Sequence, residues 1–376
     1  MQFNQFKKLL FLILTIEIGI FGYVYFQEIK KIEILSKTDY YFASGEKAIE
    51  IKTDEEVVSS PAIFSPELKL KLVGSYNTPG QAEFVFVSGN LVYLADGFAG
   101  FQIFDVSQPE NPKLIGSYDT SGYSEGVFVS GNLAYIADKD GGFLIIDVSD
   151  PKSPKEVSRY KPISAEGVFV SGNYVFLAYS WWGIKVFDVS NPTSLNLIFE
   201  KGLPNETEAV FVSGDYLYLA KGENGGFQIF DISDPKNSRL VNTYKTSGYA
   251  ESIFVRDNYL FLAGNTAGLY IFDISNLAKP ILISNIKTQG TVESVFVSGN
   301  YVFLAAGRAG LEVVDISNPK NPKIVANLNL SGFAERVFVL DNCVYLAIKD
   351  NKFPDLTMTN QRIKNAGWLK IIEIIE

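Results

Sequence analysis

Glu83-Phe-Val-Phe-Val-Ser-Gly-Asn-Leu-Val-Tyr-Leu-Ala95 reads as two short strands and the turn between them. Phe84 to Val87 and Leu91 to Ala95 are runs of aromatic and β-branched residues, which suit a pleated, half-buried surface. Between them, Ser88-Gly89-Asn90 tolerates positive φ, which a two-residue type I′ hairpin requires at both central positions. The stretch returns with small changes from Glu125, Glu166, Glu208, Glu251, Glu293 and Glu335, so successive starts lie 42, 41, 42, 43, 42 and 42 residues apart. A period in the low forties, with four short apolar runs per unit, marks the blades of a β-propeller.

Working outward from those two strands, here a and b, strand c of the first blade runs from Phe101 to Val106 and strand d from Lys113 to Tyr118. The c–d connection repeats Asp-Val/Ile-Ser-x-Pro, as in Asp147-Val148-Ser149-Asp150-Pro151. Asp and Ser bond nearby backbone N–H groups and Pro ends a strand, so this is turn chemistry rather than catalysis. The third residue after each starting Glu is always Phe, at 86, 128, 169, 211, 254, 296 and 338. Strand alternation puts it on the face opposite its Val neighbours, stacked toward the next blade.

The last unit supplies a, b and c (Val337 to Val339, Val344 to Ala347, Leu369 to Ile374) and lacks d. Its missing strand has a copy at the other end of the domain, where Lys69-Leu-Lys-Leu-Val-Gly-Ser-Tyr76 repeats Lys113-Leu-Ile-Gly-Ser-Tyr118. The expectation is an all-β, seven-bladed propeller of four-stranded blades over residues 68–376, with the N-terminal strand closing the ring and removing open sheet edges.

WD40 repeats have a similar period, but this chain has no His for their Gly-His pair and no Trp followed by Asp. The repeat instead resembles the LVIVD-repeat propellers of bacterial and archaeal surface proteins. The resemblance rests on Val-Ser-Gly-Asn before an apolar strand and Ala, then Gly-Leu/Phe and Asp-Val-Ser-Asn-Pro. It is clearest from Gly310-Leu311 through Asp315-Ile316-Ser317-Asn318-Pro319 to Pro322. It covers about residues 69 to 376 and implies an extracytoplasmic binding or scaffolding module with no catalytic residues to carry over. Leu195, Leu277 and Glu373 depart from the pattern at turn positions.

Ahead of the repeats, Lys7-Lys8 precede an 18-residue apolar run, Leu9 to Phe26, interrupted by Glu17. That length approaches what crosses the ~30 Å hydrocarbon core. No Ala-x-Ala-like cleavage pattern follows, so residues 1–26 are expected to be an uncleaved signal-anchor or transmembrane helix, with a cleaved signal peptide as the alternative. Lys30-Lys31 after the run make the positive-inside bias shallow. Residues 27–67 read as a polar stalk, with a short helix from Glu46 to Val58. This places the propeller outside the cytoplasm, membrane-anchored, in the periplasm or at the cell surface.

Composition narrows the function. A net charge of −9 without a Lys/Arg run argues against nucleic acid. The absence of His removes Ser-His-Asp and Cys-His catalysis and His-ligated zinc. The single cysteine, Cys343, cannot form an intrachain disulfide and sits in a strand as a small core residue.

In a propeller the d–a and b–c loops share one face, and here that face varies while the hairpin face is uniform. Recognition concentrates on variable loops held by a rigid scaffold. Three features mark it. Glu83, Glu125, Glu166, Glu208, Glu251, Glu293 and Glu335 open strand a in every blade and are expected to ring the channel mouth. At ~6 Å their repulsion would be about 0.7 kcal/mol per pair in bulk water and about 2.8 at an effective dielectric of 20. Compensation could come from backbone N–H groups, from Lys161, Lys201, Lys245, Lys287 or Arg336, from a bound cation such as Ca²⁺, or from a basic ligand. Either the ring binds a cation or basic group, or each Glu is a local strut between blades. The second feature is Trp181-Trp182 in the third b–c loop; in extended backbone two adjacent Trp would point opposite ways and send at least one ring to solvent or the mouth. The third is the long b–c connection Ile348 to Ala366. No cofactor is required. A protein or glycan ligand fits a noncatalytic module; a carboxylate-based or Ca²⁺-dependent hydrolase or lyase and a structural envelope spacer are the competing functions.

Overall fold

The structure, a computed structural model, describes residues 35–36, 39–40, 68–161, 164–350 and 367–375. The chain divides into two units, Met1–Ser65 and Pro66–Glu376. In the first, a two-residue antiparallel ladder pairs Leu35–Ser36 with Asp39–Tyr40. The apolar run 9–26 and the expected helix 46–58 lie outside the described residues, as does the 351–366 part of the long loop. Among the described residues no helix is long and apolar enough to cross a membrane.

Seven four-stranded antiparallel sheets make up the second unit, each in the order a, b, c, d. The first blade is Phe84–Ser88, Leu91–Ala95, Phe101–Asp105 and Lys113–Tyr118, within a residue of the boundaries read from sequence. Strand a of each blade touches strand a of the next all the way round, so the a strands wall the axis. Blade seven combines Phe333–Leu340, Cys343–Lys349 and Gly367–Ile375 with the N-terminal strand Lys69–Thr78. That strand pairs from Lys69 opposite Ile375 to Thr78 opposite Gly367, which closes the ring as its copied sequence requires.

The core is seven separate clusters, one at each blade junction. Val85 and Val87 pack with Tyr345 and Leu369 of blade seven, while Phe84 and Phe86 pack with Val127 and Val129 of blade two. Strands b and c are covered on both faces, which is why they read as unbroken apolar runs instead of alternating. Buried Cys343 belongs to the junction between blades seven and one.

The turns carry the expected chemistry with one correction. In the c–d turns of blades one to six the Asp carboxylate accepts from the Ser N–H two residues on, as Asp147 does from Ser149 at 2.8 Å. In blades one to five, bonds from this Ser hold the Asp pKa below the usual carboxylate range. In the a–b hairpins positive φ falls only on the first central residue, Gly89 (55°) through Asp341 (52°). The two-positive-φ type I′ turn is therefore not the one used.

Candidate binding site at the channel mouth

The loop face is built from backbone bonds between neighbouring blades. Gly97 of the first b–c loop bridges Ser124 of the next d–a loop, and Lys139–Ala165, Gly222–Ala250, Asn265–Val292 and Gly307–Ala334 repeat the tie. The two loop types therefore share one face, and main-chain bonds tie its neighbouring blades together. Each bridge holds the residue two places after the strand-b Ala at the rim. Most of these take positive φ, including the non-glycine residues Lys139 (34°) and Asn265 (51°), as does Ser180 (41°) at the matching place in blade three.

Rim side chains meet the glutamates from this position and from two places before each Glu. Lys349 bridges Glu83 at 2.7 Å and Glu335 at 2.9 Å, joining blades one and seven. Lys139 pairs with Glu125 at 2.8 Å. The Tyr123 hydroxyl donates to Glu83 and to Gln81, the latter at 2.7 Å. Tyr249 donates to both Glu208 and Glu206. Asn265 Nδ2 lies 3.0 Å from Glu251 and 3.2 Å from Glu293. Arg336 occupies the place after the ring Glu, where other blades have Phe, Gly, Ala or Ser. Its guanidinium donates to the Glu335 carbonyl at 3.1 Å and lies over the Phe84 ring.

Compensation is therefore lopsided. Burial works against the Lys349 charge, but Glu83 and Glu335 outweigh it and hold its pKa above the usual value. Burial opposes the Arg336 charge too, and is outweighed by Glu335, Glu251, Glu125 and Glu83. Among the described residues no ion pair reaches Glu166, Glu208 or Glu251. Burial pushes each of these carboxyls up to about 7, with Glu208 adding to it for Glu166 and Glu293 for Glu251. At Glu208 the Tyr249 bond pulls the other way. Glu293 of blade six also lies outside every described ion pair and burial raises its pKa too, so blades three to six carry an arc of poorly compensated carboxylates.

Beneath the mouth the seven phenylalanines form a closed collar. Phe86, Phe128, Phe169, Phe211, Phe254, Phe296 and Phe338 touch in sequence with centroids 4.8 to 5.2 Å apart, and Phe338 returns to Phe86. They are half-buried, because each packs at a blade junction on one side and faces the channel on the other. A cavity of about 140 Å³ lies against the collar, with Glu166, Glu208 and Arg336 in its wall.

Trp181 and Trp182 lie in the third b–c loop, as expected, but not in extended backbone. A single 3₁₀ turn, Ser180–Trp182, carries them, and both rings are exposed, at 61% and 67%. Ser180 ties this turn to the mouth, its hydroxyl 3.5 Å from Glu206. Phe98, at the matching place in blade one, is 54% exposed and meets the Tyr123 ring edge-on at 4.8 Å. Lys161, Lys201, Lys245 and Lys287 form none of the described ion pairs with the ring; Lys139 and Lys349 do. Among the described residues no group of three or more carboxylates converges closely enough to hold a metal ion.

The LVIVD repeat pattern matches residues 79–120, 121–161, 164–200, 205–246, 247–288 and 289–329. The seventh blade, with its long loop and Glu373, falls outside the match. No curated protein sequence matches the chain. Among solved structures, the WD40 repeats of RRP9 align with a TM-score of 0.63 at 12% identity, over 83% of this chain and 98% of that one. The computationally designed Ika8 protein aligns at 0.58 and 14%, over 81% and 100%. BamB from Moraxella catarrhalis aligns at 0.55 and 11%, over 81% and 98%. At these identities the likeness is one of fold.

Proposed function

The chain belongs to the LVIVD-repeat family, and from that premise we propose that it is a noncatalytic module which binds a protein ligand through the d–a/b–c loop face. The observation that carries this is the Trp181-Trp182 turn, two large apolar rings held in solvent beside the acidic mouth. Exposing both is costly, since burying one such side chain gains roughly 1.5–3 kcal/mol or more, and Trp is enriched at binding hot spots. The glutamate ring lies beside them as the polar part of the surface. A glycan is the other ligand class that an exposed aromatic platform suits. In this reading the run 9–26 anchors the propeller at a membrane on its extracytoplasmic side.

Hydrolysis or lysis is the weaker reading. Small-molecule sites span about 300–1,000 Å³; the carboxylate-walled channel cavity is about 140 Å³, and a larger cavity of about 630 Å³ at the a–b hairpins of blades six and seven has Asp341 as the one carboxylate residue in its lining, where a hydrolase needs a pair. Screening wild type and the Trp181→Ser/Trp182→Ser variant against a displayed peptide library and a glycan array tests the proposal. Peptides that bind wild type and lose at least tenfold on the variant support it. Equal binding to both proteins would contradict it, and Trp-dependent binding confined to glycans would replace the protein ligand with a glycan.

A further inference from the structure

The outer strands of blades five to seven form a wall unlike the rest of the rim. Blade five exposes Ile281 and Leu282 there, and blade six Ile324 and Val325. Blade seven exposes Leu72 of its N-terminal strand and Ile375, which pairs with Lys69. Among the described residues the other exposed large aliphatic side chain is Leu240, on the outer strand of blade four. Apolar residues scattered singly over a surface are ordinary, but a run of them on adjacent strands marks a contact surface.

Exposed lysines stand between them: Lys279 and Lys287 in blade five, Lys320 and Lys323 in blade six, Lys69 and Lys71 in blade seven. The stretches that carry these strands, 274–292, 316–334 and 68–82, contain no Asp or Glu. Their counterparts in blades one to four hold Glu110 and Asp119, Asp150 and Glu156, Glu200 and Glu206, and Asp234. The acids close by are Asp273, Asp315 and Glu373, half-buried near the ends of strands c. Asp273 and Asp315 accept from turn Ser N–H groups, and the field of Lys320 reaches Asp273. Lys323 and Lys71 stand opposite Asp315 and Glu373 in the ladders. None of the six lysines makes a described ion pair. The wall is thus basic on a chain of net charge −9.

An added fifth strand does not suit this wall, because each outer strand is bulged, at Ile283, Val325 and Val73, and a bulge breaks the free edge. Lysine on an edge strand also discourages pairing, but that leaves the aliphatic side chains between the lysines unexplained. Protein interfaces draw their anchors from Trp, Tyr and Arg and are depleted in Lys, and the three stretches contain no Trp or Arg. Lysine among Leu, Ile and Val is instead suited to an anionic bilayer, where apolar tips meet the acyl boundary and ammonium groups stay among the phosphates.

Deepening the membrane part of the proposed function, on which it rests, we propose that the outer wall of blades five to seven lies on an anionic lipid surface. Blade six is the centre of the contact, and blades five and seven slope away on either side, a gap that lysine stems span. Two features agree with this. The strand by which the chain enters the propeller, Lys69–Thr78, belongs to the wall, so residues 27–67 lead from the run 9–26 to this side. Blade three, with Trp181 and Trp182, lies across the ring from blade six, which keeps the protein-binding turn clear of the bilayer.

Full-length protein carrying a nitrobenzoxadiazole fluorophore on Ile324→Cys, reconstituted into vesicles whose headgroups bear a nitroxide quencher, tests the wall. Cys343 is buried and stays unlabelled. The control label sits on Lys155→Cys, in the outer strand of blade two. In vesicles of about one-third phosphatidylglycerol, quenching at 324 should exceed that at 155 at least threefold. It should fall at least twofold in pure phosphatidylcholine, and likewise in about 1 M NaCl, where the Debye length is about 3 Å. Lys320→Glu/Lys323→Glu should lower it at least twofold; should that variant not fold, the salt result decides. Equal quenching at 324 and 155, or at 324 in neutral and anionic vesicles, would overturn the proposal. Protein that resists an alkaline carbonate wash yet shows no quenching at 324 would keep the anchor and sink the wall. Quenching at 324 from protein that carbonate strips would keep the wall and sink the anchor. Photo-cross-links from position 324 to an acidic protein or a second copy, with no quenching, would overturn it in favour of a protein contact.

Discussion

Glu166→Gln should make the ligand-free protein more stable, and more so at high pH. The folded protein holds the Glu166 carboxyl at about 7 against a usual 4.5, through burial first and the neighbouring Glu208 second. A raised acid pKa means that the folded state binds the proton more tightly than the unfolded state. Its stability contribution is then complete below about pH 4.5 and is lost as pH rises through about 7. At about 1.4 kcal/mol per unit, the shift costs about 3 kcal/mol at pH 8 and under 1 kcal/mol at pH 5. The side chain is partly exposed and solvent screens it, so roughly 1–3 kcal/mol is the expected gain at pH 8. Gln keeps the size and loses the charge. For a domain of this length that corresponds to roughly 2–5 °C in Tm. The assay is a matched set of urea and thermal melts of wild type and variant at pH 5 and pH 8. A variant less stable than wild type at pH 8, by a margin unchanged at pH 5, would show that Glu166 is a strut between blades and that the account of the arc is wrong.

The compensated side of the ring should behave in the opposite way. Lys349→Met leaves Glu83 and Glu335 unpaired and should cost about 2–4 kcal/mol at pH 7, with much of the loss recovered at pH 4; a neutral effect in melts would contradict the pairing. Deleting Leu68 to Tyr76 removes the outer strand of blade seven and should cause aggregation or loss of cooperative melting, so a truncated protein that melts like the full one would refute closure by this strand. Phe211→Ala should cost about 2–4 kcal/mol, since the ring touches Phe169 and Phe254 yet keeps one side to the channel; a loss below ~1 kcal/mol would mean that the collar is not packed.

The fold was legible because every blade repeats the same local chemistry. Strands, turns and the closing strand each have seven or six copies to compare, and Lys69 to Tyr76 could be matched to blade seven by similarity alone. The glutamate ring was legible for the same reason. Its partners were not, because they break the repeat. Lys139 and Lys349 sit two places after the strand-b Ala, and Tyr123, Glu206 and Tyr249 two places before a ring Glu. Aligning those two columns across blades would have found them. The lysines expected instead, such as Lys161 and Lys201, lie in or just after strand d, the outermost strand of the blade. The Trp pair falls in the b–c loop where the sequence puts it, but strand geometry does not hold there: nothing in Ser180-Trp181-Trp182-Gly183 except Gly183 announces a turn, and a 3₁₀ turn lets both rings face solvent. Strand alternation predicted the Phe contacts, but the closed collar depends on the channel radius, which seven-fold closure sets.

The central claim is that ligands meet this propeller on the d–a/b–c face and not on the hairpin face. Site-specific photo-crosslinking in the native cell tests it without knowledge of the ligand. A benzoylphenylalanine probe replaces Trp182 on the loop face in one variant and Asn132, in the exposed a–b hairpin of blade two, in another. The account predicts discrete cross-linked species from position 182 and none above background from position 132. Cross-links from 132 with none from 182, or equal yields from both, would contradict it.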